Sequence, residues 1–349
     1  MAGTDTAVVR LSDLAHGQEA TCFAALVKKD VGVDKHGKPF VKCHFRDRRV
    51  TMVAPFWSGN ALREQAETLT EGVAYRLRVR GDWKVRYGFQ LEVIELRLAT
   101  EEDAADGYDF SDLVDSSEFD PEILLKSIHD RIHRCIDEAH LRELVCTILR
   151  ENSDLFKKMP AASNFHHSYT AGLLEHVWSM TRIAGFLADH YADYYQQLNP
   201  PLNKGVIVAA AILHDIGKLR ELDYHPVEAK YTKEGCLIGH VLMGRDLVRE
   251  TARKIDGFPE ETLLLLEHAI LSHHGKRDFG APVVPQTIEA LLVSYIDDLD
   301  AKMNIAARER LRSTSEGEFT DKVFALENRR LYKGIPREVP IDDDHQEPI

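Results

Sequence analysis

The sequence changes its hydrophobic period once, and an acidic run marks the change. Residues 100–120 hold nine carboxylates and no basic side chain. Before this run, apolar and polar residues alternate, which is typical of half-buried strands; after it, apolar residues recur at three- and four-residue spacings, which is typical of helices. A run of one charge repels itself and cannot build a core of its own. We therefore expect a linker at 100–120 between two domains of different class.

The alternating pattern predicts a small β-barrel in residues 1–99. A short helical segment at residues 60–72 separates the third predicted strand from the fourth. Strands are expected at 18–29, 40–45, 48–54, 73–80 and 88–98. Five strands with a helix between the third and fourth match an OB-fold.

The helical pattern predicts an all-α domain over residues 121–333, which Pro121 opens at the first turn of a helix. Helices are expected at 121–151, 168–196, 202–216, 235–254, 259–272 and 285–311. The remaining stretch, 334–349, has three prolines and little apolar content. We expect this tail to be disordered.

Composition points to a cytoplasmic protein that does not enter a membrane. No stretch approaches ~18 uninterrupted apolar residues, and the first residues lack the basic-then-apolar pattern of a signal peptide. The five cysteines are scattered and form no C-x-x-C pair, so we expect neither a disulfide framework nor a cysteine zinc site.

Charge is distributed unevenly between the two parts. The chain carries a net charge of −13, while residues 1–98 hold 16 basic and 12 acidic side chains. A whole-surface nucleic-acid coat is therefore excluded, but a local binding face on the first domain is not.

Histidine and aspartate residues cluster in the helical part and predict a metal centre. Ten of the 17 histidines fall between residues 166 and 274. The apolar helix at 209–213 ends on His214 and Asp215, and an aspartate at a helix C-terminus opposes the helix dipole. Neutral imidazole binds transition metals, and Asp215 could bridge two ions ~3.5–4 Å apart. The candidate ligands are His176, His214, Asp215, His240, His273, His274 and Asp297.

Some of these residues have alternative interpretations. His240 could simply cap a packed helix, and either Asp297 or Asp298 could be the ligand. Asp298 and Asp300 are expected to point away from the ion, as supporting or solvated groups. His190 and His268 are expected to be hydrogen-bonded core histidines. His167, like His166, either reaches the substrate or only begins the helix of His176.

Lys218 is the expected phosphate-binding cation and a candidate catalytic residue beside Asp215. Gly217 is expected to end the helix so that Lys218 turns back toward the cleft.

The predicted barrel has a face suited to single-stranded nucleic acid. Alternation along the fourth strand places Arg76, Arg78 and Arg80 on one side, and Phe40 shares a face with Lys42 in the preceding hairpin. Cations combined with exposed rings such as Trp83 would hold phosphates and stack bases. An ordinary solvated barrel face is the alternative for each of these residues.

The order H…HD…D, formed by His176, His214-Asp215 and Asp297, resembles the HD superfamily of metal-dependent phosphohydrolases. The stretch His214–Lys218 is similar to the H-D-x-G-K motif of HD-GYP cyclic-dinucleotide phosphodiesterases, but GKRDFGAP stands where GYP would follow.

Three further stretches resemble the bacterial YhaM-type 3′→5′ exoribonucleases: SHHG at 272–275, P-x-T-x-E-A at 285–290 and DDLDAK at 297–302. With the N-terminal OB-fold, the resemblance covers residues 8–333.

The resemblance implies two metal sites. One would use His176, His214 and Asp297 with Asp215; the other would use His240, His273 and His274 and share Asp215. Mixed imidazole and carboxylate ligands favour Mn²⁺, with Mg²⁺, Fe²⁺ and Co²⁺ as alternatives.

The resemblance also implies the activity: metal-dependent 3′→5′ hydrolysis of single-stranded RNA, with DNA as a further substrate, to nucleoside 5′-monophosphates. The alternatives are a phosphodiesterase for small nucleotides or cyclic dinucleotides and an inactive RNA-binding adaptor. Self-association as a homo-oligomer is left open.

Overall fold

The computed structural model describes residues 7–84, 88–161, 169–225, 229–313, 315 and 317–335. The chain divides into two compact units, Met1–Ala301 and Lys302–Ile349. The first contains a β-barrel followed by helices, which confirms the predicted fold class. The second contains the end of the last helix and two β-bridges, Phe319 with Tyr332 and Val323 with Arg329.

The barrel is closed by five strands, as the alternation predicts. The strands run in the spatial order β1-β2-β3-β5-β4; all pairs are antiparallel except β3 with β5, and helix α1 (Arg63–Thr68) lies between β3 and β4 in sequence. Their bounds are β1 Glu19–Val33, β2 Pro39–Arg46, β3 Thr51–Phe56, β4 Ala74–Lys84 and β5 Gly88–Leu98.

The barrel interior takes alternate residues of each strand. In β2, Val41, Cys43 and Phe45 are fully buried, while Phe40 and Lys42 face outward. Strand β1 departs from alternation and is buried at every position from 20 to 26, because its outer side is also covered.

The acidic run joins the barrel to the helical part and also packs on the outer side of β1. It forms two 3-10 helices, Glu101–Asp106 and Phe110–Leu113. Leu113 packs with Phe23 of β1 in a small apolar cluster. Asp103 is 3% exposed and accepts hydrogen bonds from Arg76 and Arg97. The barrel therefore supplies both the core and the countercharge that the run lacks.

The helical part surrounds one buried helix, α5 (Lys204–Leu213), whose residues from Val206 to Leu213 are all fully buried. Alanines 209–211 let the surrounding helices approach it closely. The other elements are α2 Pro121–Cys135, α3 Ala139–Phe156, α4 Gly172–Tyr194, α6 Lys218–Glu221, β6 Leu222–Asp223, β7 Lys230–Tyr231, α7 Lys233–Ile238, α8 His240–Ala252, α9 Glu260–Ser272 and α10 Ile288–Arg312.

Two of the predicted helices are each broken in two, and this part of the prediction was wrong. The segment 121–151 turns at Ile136, which is extended (φ −113°, ψ 97°) yet fully buried, so the apolar pattern runs on through the break. The segment 235–254 is interrupted at Gly239, whose φ of 82° an L-residue rarely adopts. Helix α8 therefore restarts at His240. No helix in the described ranges has the length and apolarity needed to cross a membrane.

Candidate metal centre

All seven predicted ligands meet around the end of α5. His176 comes from the first turns of α4, His214 and Asp215 follow α5, and Asp297 lies on α10. His240 is the first residue of α8, and His273 and His274 follow α9. The ligand atoms form two groups in which they lie within 4.8 Å of one another: His176 with His214 and Asp215, and His240 with His273 and His274.

The first group is compact and fully buried. His176 Nε2 lies 3.3 Å from His214 Nε2 and 3.3 Å from Asp297 Oδ1, and His214 Nε2 lies 3.9 Å from the same oxygen. Three ligand atoms thus face one small volume. Asp297, not the exposed Asp298, is the carboxylate in contact with the histidines.

Asp215 stands between the two groups. Its Oδ2 lies 3.3 Å from His214 Nε2 in the first group. Its Oδ1 lies 3.3 Å from His240 Nε2 and 3.7 Å from His273 Nε2 in the second. Each oxygen faces one group, which is the arrangement that a bridging carboxylate requires.

Four of the imidazoles are oriented in the same way. Each donates its Nδ1–H to an oxygen of the protein, so that Nε2 points into the centre. The acceptors are Asp300 for His176 (2.8 Å), the carbonyl of Ala211 for His214 (3.0 Å), Glu221 for His240 (3.0 Å) and the carbonyl of Ile270 for His273 (2.7 Å).

These residues fit a divalent cation because several buried lone pairs are left over. Within the described part of the chain, Asp215 Oδ1, His240 Nε2, His273 Nε2 and His274 Nδ1 are buried without a hydrogen bond. Leaving such a group unsatisfied costs about 1–3 kcal/mol. A transition metal accepts lone pairs from imidazole and carboxylate alike, so bound cations would satisfy all four atoms.

The pKa values of the histidines are shifted in two directions. Burial lowers the pKa of His273 and of His274, which keeps both imidazoles neutral. Burial also acts on His176, but the carboxylates of Asp297 and Asp300 outweigh it and raise its pKa to about 9. The carboxylates of the first group therefore stabilise positive charge, either as a proton on His176 or as a cation in its place.

Close backbone packing fixes the position of His240. A Cβ on Gly217 would lie 2.0 Å from the carbonyl oxygen of His240, so only glycine allows α8 to approach this turn. Gly217 has an ordinary φ of −64° and follows the helix end instead of making it, since α5 stops at Leu213. The expectation that Gly217 ends the helix was wrong in this respect.

Lys218 is buried beside the centre, as expected from its position. Its Nζ lies 2.6 Å from Asp215 Oδ2. Burial opposes ionisation of Asp215, but Lys218 and His214 hold its pKa well below the usual range.

His167 and His166 lie outside the described residues, as does the predicted tail from residue 336 onward.

Two carboxylates orient histidines of the centre, and only one of them was expected from the sequence. Asp300 was expected to be a supporting or solvated group that points away from the ion; it is a supporting group, which binds His176 and the hydroxyl of Ser179. It lies on the same side of α10 as Asp297, because residues three apart share a helix face. Glu221 binds both the backbone N–H and the ring of His240, and no motif marks it.

The two histidines predicted to be core residues differ. The ring of His268 is half-buried and accepts a hydrogen bond from the Gln286 N–H at 2.9 Å. His190 is exposed and stacks between Phe186 and Tyr194. The prediction for His190 was wrong because position 190 lies on the outward row of α4.

The barrel residues predicted to bind a strand are arranged in two ways. Phe40 lies against Trp57, and Lys42 Nζ lies 5.3 Å from the centroid of the Phe40 ring. Trp83 is 60% exposed near the end of β4. The arginines face outward on β4, as predicted, but all three are ion-paired: Arg76 with Asp103 and Asp106, Arg78 with Glu19 and Glu95, and Arg80 with Glu19 and Glu92.

The chain is similar to known proteins over most of its length. The family model of the HD domain matches residues 173–302, and one described as a putative helicase matches residues 122–220. A relative from Geobacillus sp. (strain WCH70), the 3′-5′ exoribonuclease YhaM, is 32% identical over 320 residues, which is 91% of this chain and 93% of the relative.

Solved structures match smaller parts. A domain of replication protein A from Methanococcus maripaludis shares 13% identity over 26% of this chain and 93% of its own, with a TM-score of 0.22. RecG bound to a three-way DNA junction shares 14% identity over 45% of this chain and 27% of its own, with a TM-score of 0.20.

Proposed function

The chain belongs to the YhaM-type family of 3′→5′ exoribonucleases, and from this membership we propose that it shortens single-stranded RNA from the 3′ end, with DNA as a further substrate. The 3′→5′ direction and the RNA substrate are taken from the relative, the 3′-5′ exoribonuclease YhaM. The observation that carries the proposal in this chain is Asp215, whose two oxygens face two separate groups of ligands.

We propose that the centre holds two divalent cations. His176, His214 and Asp297 would hold one, and His240, His273 and His274 the other, with Asp215 shared between them. The unsatisfied lone pairs and the common orientation of the imidazoles support this assignment. Mn²⁺ is the ion we expect, because a mixture of imidazole and carboxylate suits a borderline transition metal better than it suits Mg²⁺.

Bound divalent cations would lower the pKa of water and stabilise the charge that develops on phosphate and leaving oxygens. The protein itself performs the positioning. Asp300 and Glu221 fix two of the imidazoles, so that little reorganisation is needed during the reaction. Lys218 is proposed to hold a phosphate oxygen as a point charge, for which its Nζ would exchange Asp215 for the substrate.

The barrel is proposed to hold the strand that the centre shortens. Phe40 and Trp57 offer rings on which bases stack, and Lys42 places a cation beside them. Trp83 offers a further exposed ring. Arg76, Arg78 and Arg80 would contribute only where a phosphate replaces their carboxylate partners.

The proposed activity is tested with 5′-labelled single-stranded RNA and Mn²⁺. The chain should give a ladder of products that shorten from the 3′ end and release nucleoside 5′-monophosphates. Asp215→Asn should abolish cleavage and retain RNA binding, because it removes one charge from the centre and leaves the barrel intact. Asp256→Asn, which neutralises an exposed carboxylate, is the matched control and should cleave normally.

Other outcomes would support the alternative functions. Turnover of mononucleotides or cyclic dinucleotides with RNA left intact would indicate a small-nucleotide phosphodiesterase. RNA binding without metal-stimulated cleavage would indicate an adaptor. Either result would refute the exoribonuclease proposal.

A further inference from the structure

Three arginines on the outer side of the helical part have no ion-pair partner in the described ranges of the chain. Arg131 and Arg134 lie on α2, and Arg182 lies on α4. Among the residues that the structure describes, no carboxylate forms an ion pair with any of the three. The arginines of β4, by contrast, are all neutralised by carboxylates. These arginines therefore present positive charge in a chain whose net charge is −13.

Arg131 is also close enough to Arg134 and to Arg182 to be repelled by both. Arg131 is half-buried, with Nη1 3.5 Å from the position that a Cβ on Gly185 of α4 would take. Burial lowers the pKa of Arg131, and Arg134 and Arg182 lower it further. An anion bound here would relieve both the repulsion and the lost hydration.

A row of flat side chains runs beside these arginines along α4. Trp178, Arg182, Phe186 and His190 follow one another at four-residue spacing, which places them on one helix face. Arg182 Cζ lies 4.8 Å from the Trp178 ring centroid. The rings of Phe186 and His190 are nearly parallel, at 12°, with centroids 6.4 Å apart. Phe186 is 70% exposed, which is a large apolar surface to leave in water.

We propose that this α2–α4 face, formed by Arg131, Arg134, Trp178, Arg182, Phe186 and His190, is a second binding site for single-stranded RNA. Phosphates would contact the guanidinium groups, and bases would stack on the exposed rings. An acidic protein segment would match the charge but would leave the stacked rings unused, so RNA matches the face more completely.

This site is separate from the metal centre. Trp178 follows His176 by two residues on α4, which turns its side chain by about 200° to the opposite side of the helix. The row from Trp178 to His190 spans roughly 18 Å along the axis. The face would therefore hold a part of the strand away from the 3′ end that is being cut. The inference rests on the proposed function, because it assumes an RNA substrate longer than a few nucleotides.

The test measures RNA binding without metal, by fluorescence anisotropy of a 5′-labelled oligouridylate in EDTA at several salt concentrations. The variant R131Q/R134Q/R182Q should weaken binding by about tenfold or more and reduce the salt slope by about 2, as three lost phosphate contacts to a single strand require. R150Q/R253Q/K254Q removes the same charge from exposed positions of the helical part and should bind like the wild type.

The rings are tested by a matched pair of exposed phenylalanines. Phe186→Ala should weaken binding about fivefold or more, as the loss of one stacked base predicts. Phe324→Ala, at a position 76% exposed, should have no effect. These single variants and Arg134→Gln at an exposed position also keep the test valid if the triple variant does not fold.

Unchanged affinity and salt slope in R131Q/R134Q/R182Q would overturn the proposed site, and so would an equal loss in the control. A change in self-association with unchanged RNA binding would overturn it in favour of a protein partner. Cleavage of 5′-labelled single-stranded RNA with Mn²⁺ separates the two proposals: its absence in the wild type, with RNA binding dependent on the α2–α4 face, would refute the enzyme and leave the site standing.

Discussion

At the scale of single residues, the side chains that meet around the end of α5 could be predicted from the sequence, but only one of the two carboxylates that orient them could. His214 and Asp215 are conspicuous because two metal-binding side chains end an apolar helix. Glu221 is not, because it reaches His240 only through the packing of α6 against α8. Asp300 was expected as a supporting or solvated group from its distance of three residues to Asp297. Residue type thus indicates a candidate ligand, whereas the orienting role of Glu221 is visible only in the fold.

Asp300→Asn tests the support of His176. The carboxylate holds His176 Nδ1 at 2.8 Å, and loss of such a partner reduces metal affinity about 10- to 100-fold. We expect this loss in a calorimetric titration with Mn²⁺. Asp298→Asn, one residue away at an exposed position, should change the affinity much less. Equal effects of the two substitutions would contradict the assignment of Asp297 and Asp300 to the centre.

Gly217→Ala tests the approach of α8 to the ligand turn. A Cβ there would meet the His240 carbonyl at 2.0 Å, and overpacking of this kind costs about 1–3 kcal/mol. We expect a lower urea midpoint and weaker Mn²⁺ binding, since His240 would be displaced. Gly59→Ala is the control, because its Cβ has no neighbour within 4 Å. Wild-type metal affinity in Gly217→Ala would show that the contact does not position His240.

At the scale of elements, the hydrophobic period located the strands and most helices but not the breaks between helices. Ile136 is buried although it lies between α2 and α3, so the apolar pattern is continuous where the backbone is not. The acidic run is the converse case. Its charges suggested a segment without a core, while its countercharges, Arg76 and Arg97, lie on the barrel. The hydrophobic period shows which residues are buried, but a buried residue can lie at a break between two helices.

Asp103→Asn tests the docking of the acidic run on the barrel. Asp103 is 3% exposed and binds Arg76 and Arg97, so its loss should cost about 1–2 kcal/mol, since Arg97 is half-exposed and screened. Urea unfolding at pH 7 measures this cost. Asp106→Asn, which removes a more exposed partner of Arg76, should cost less than 1 kcal/mol.

The same substitution should change the response to acid. Hydrogen bonds from Arg97 hold the pKa of Asp103 well below its usual range. A depressed folded-state pKa gives stability that is present above the unfolded pKa of about 3.9 and is lost as the pH falls toward the folded value. The difference in stability between the wild type and Asp103→Asn should therefore shrink below about pH 4. A constant difference would contradict the ion pair as its source.

At the scale of the whole molecule, one change of period was enough to predict a barrel followed by helices. The distribution of charge was harder to interpret. The excess of basic residues before residue 99 suggested a strand-binding face on β4, whose arginines are in fact neutralised by Glu19, Asp103 and their neighbours. Arginines without an ion-pair partner among the described residues lie on α2 and α4 instead, within the acidic part of the chain. Net charge along a sequence does not show which charges are paired in space.

The central claim is that distant histidines and aspartates form one centre for two cations that share Asp215. A titration of the metal-stripped chain with Mn²⁺, followed by elemental analysis, tests it most directly. We predict two ions per chain in the wild type, and one or none in Asp215→Asn with the fold retained. A wild-type chain that binds no Mn²⁺, or an Asp215→Asn variant that still binds two ions with wild-type affinity, would contradict the claim.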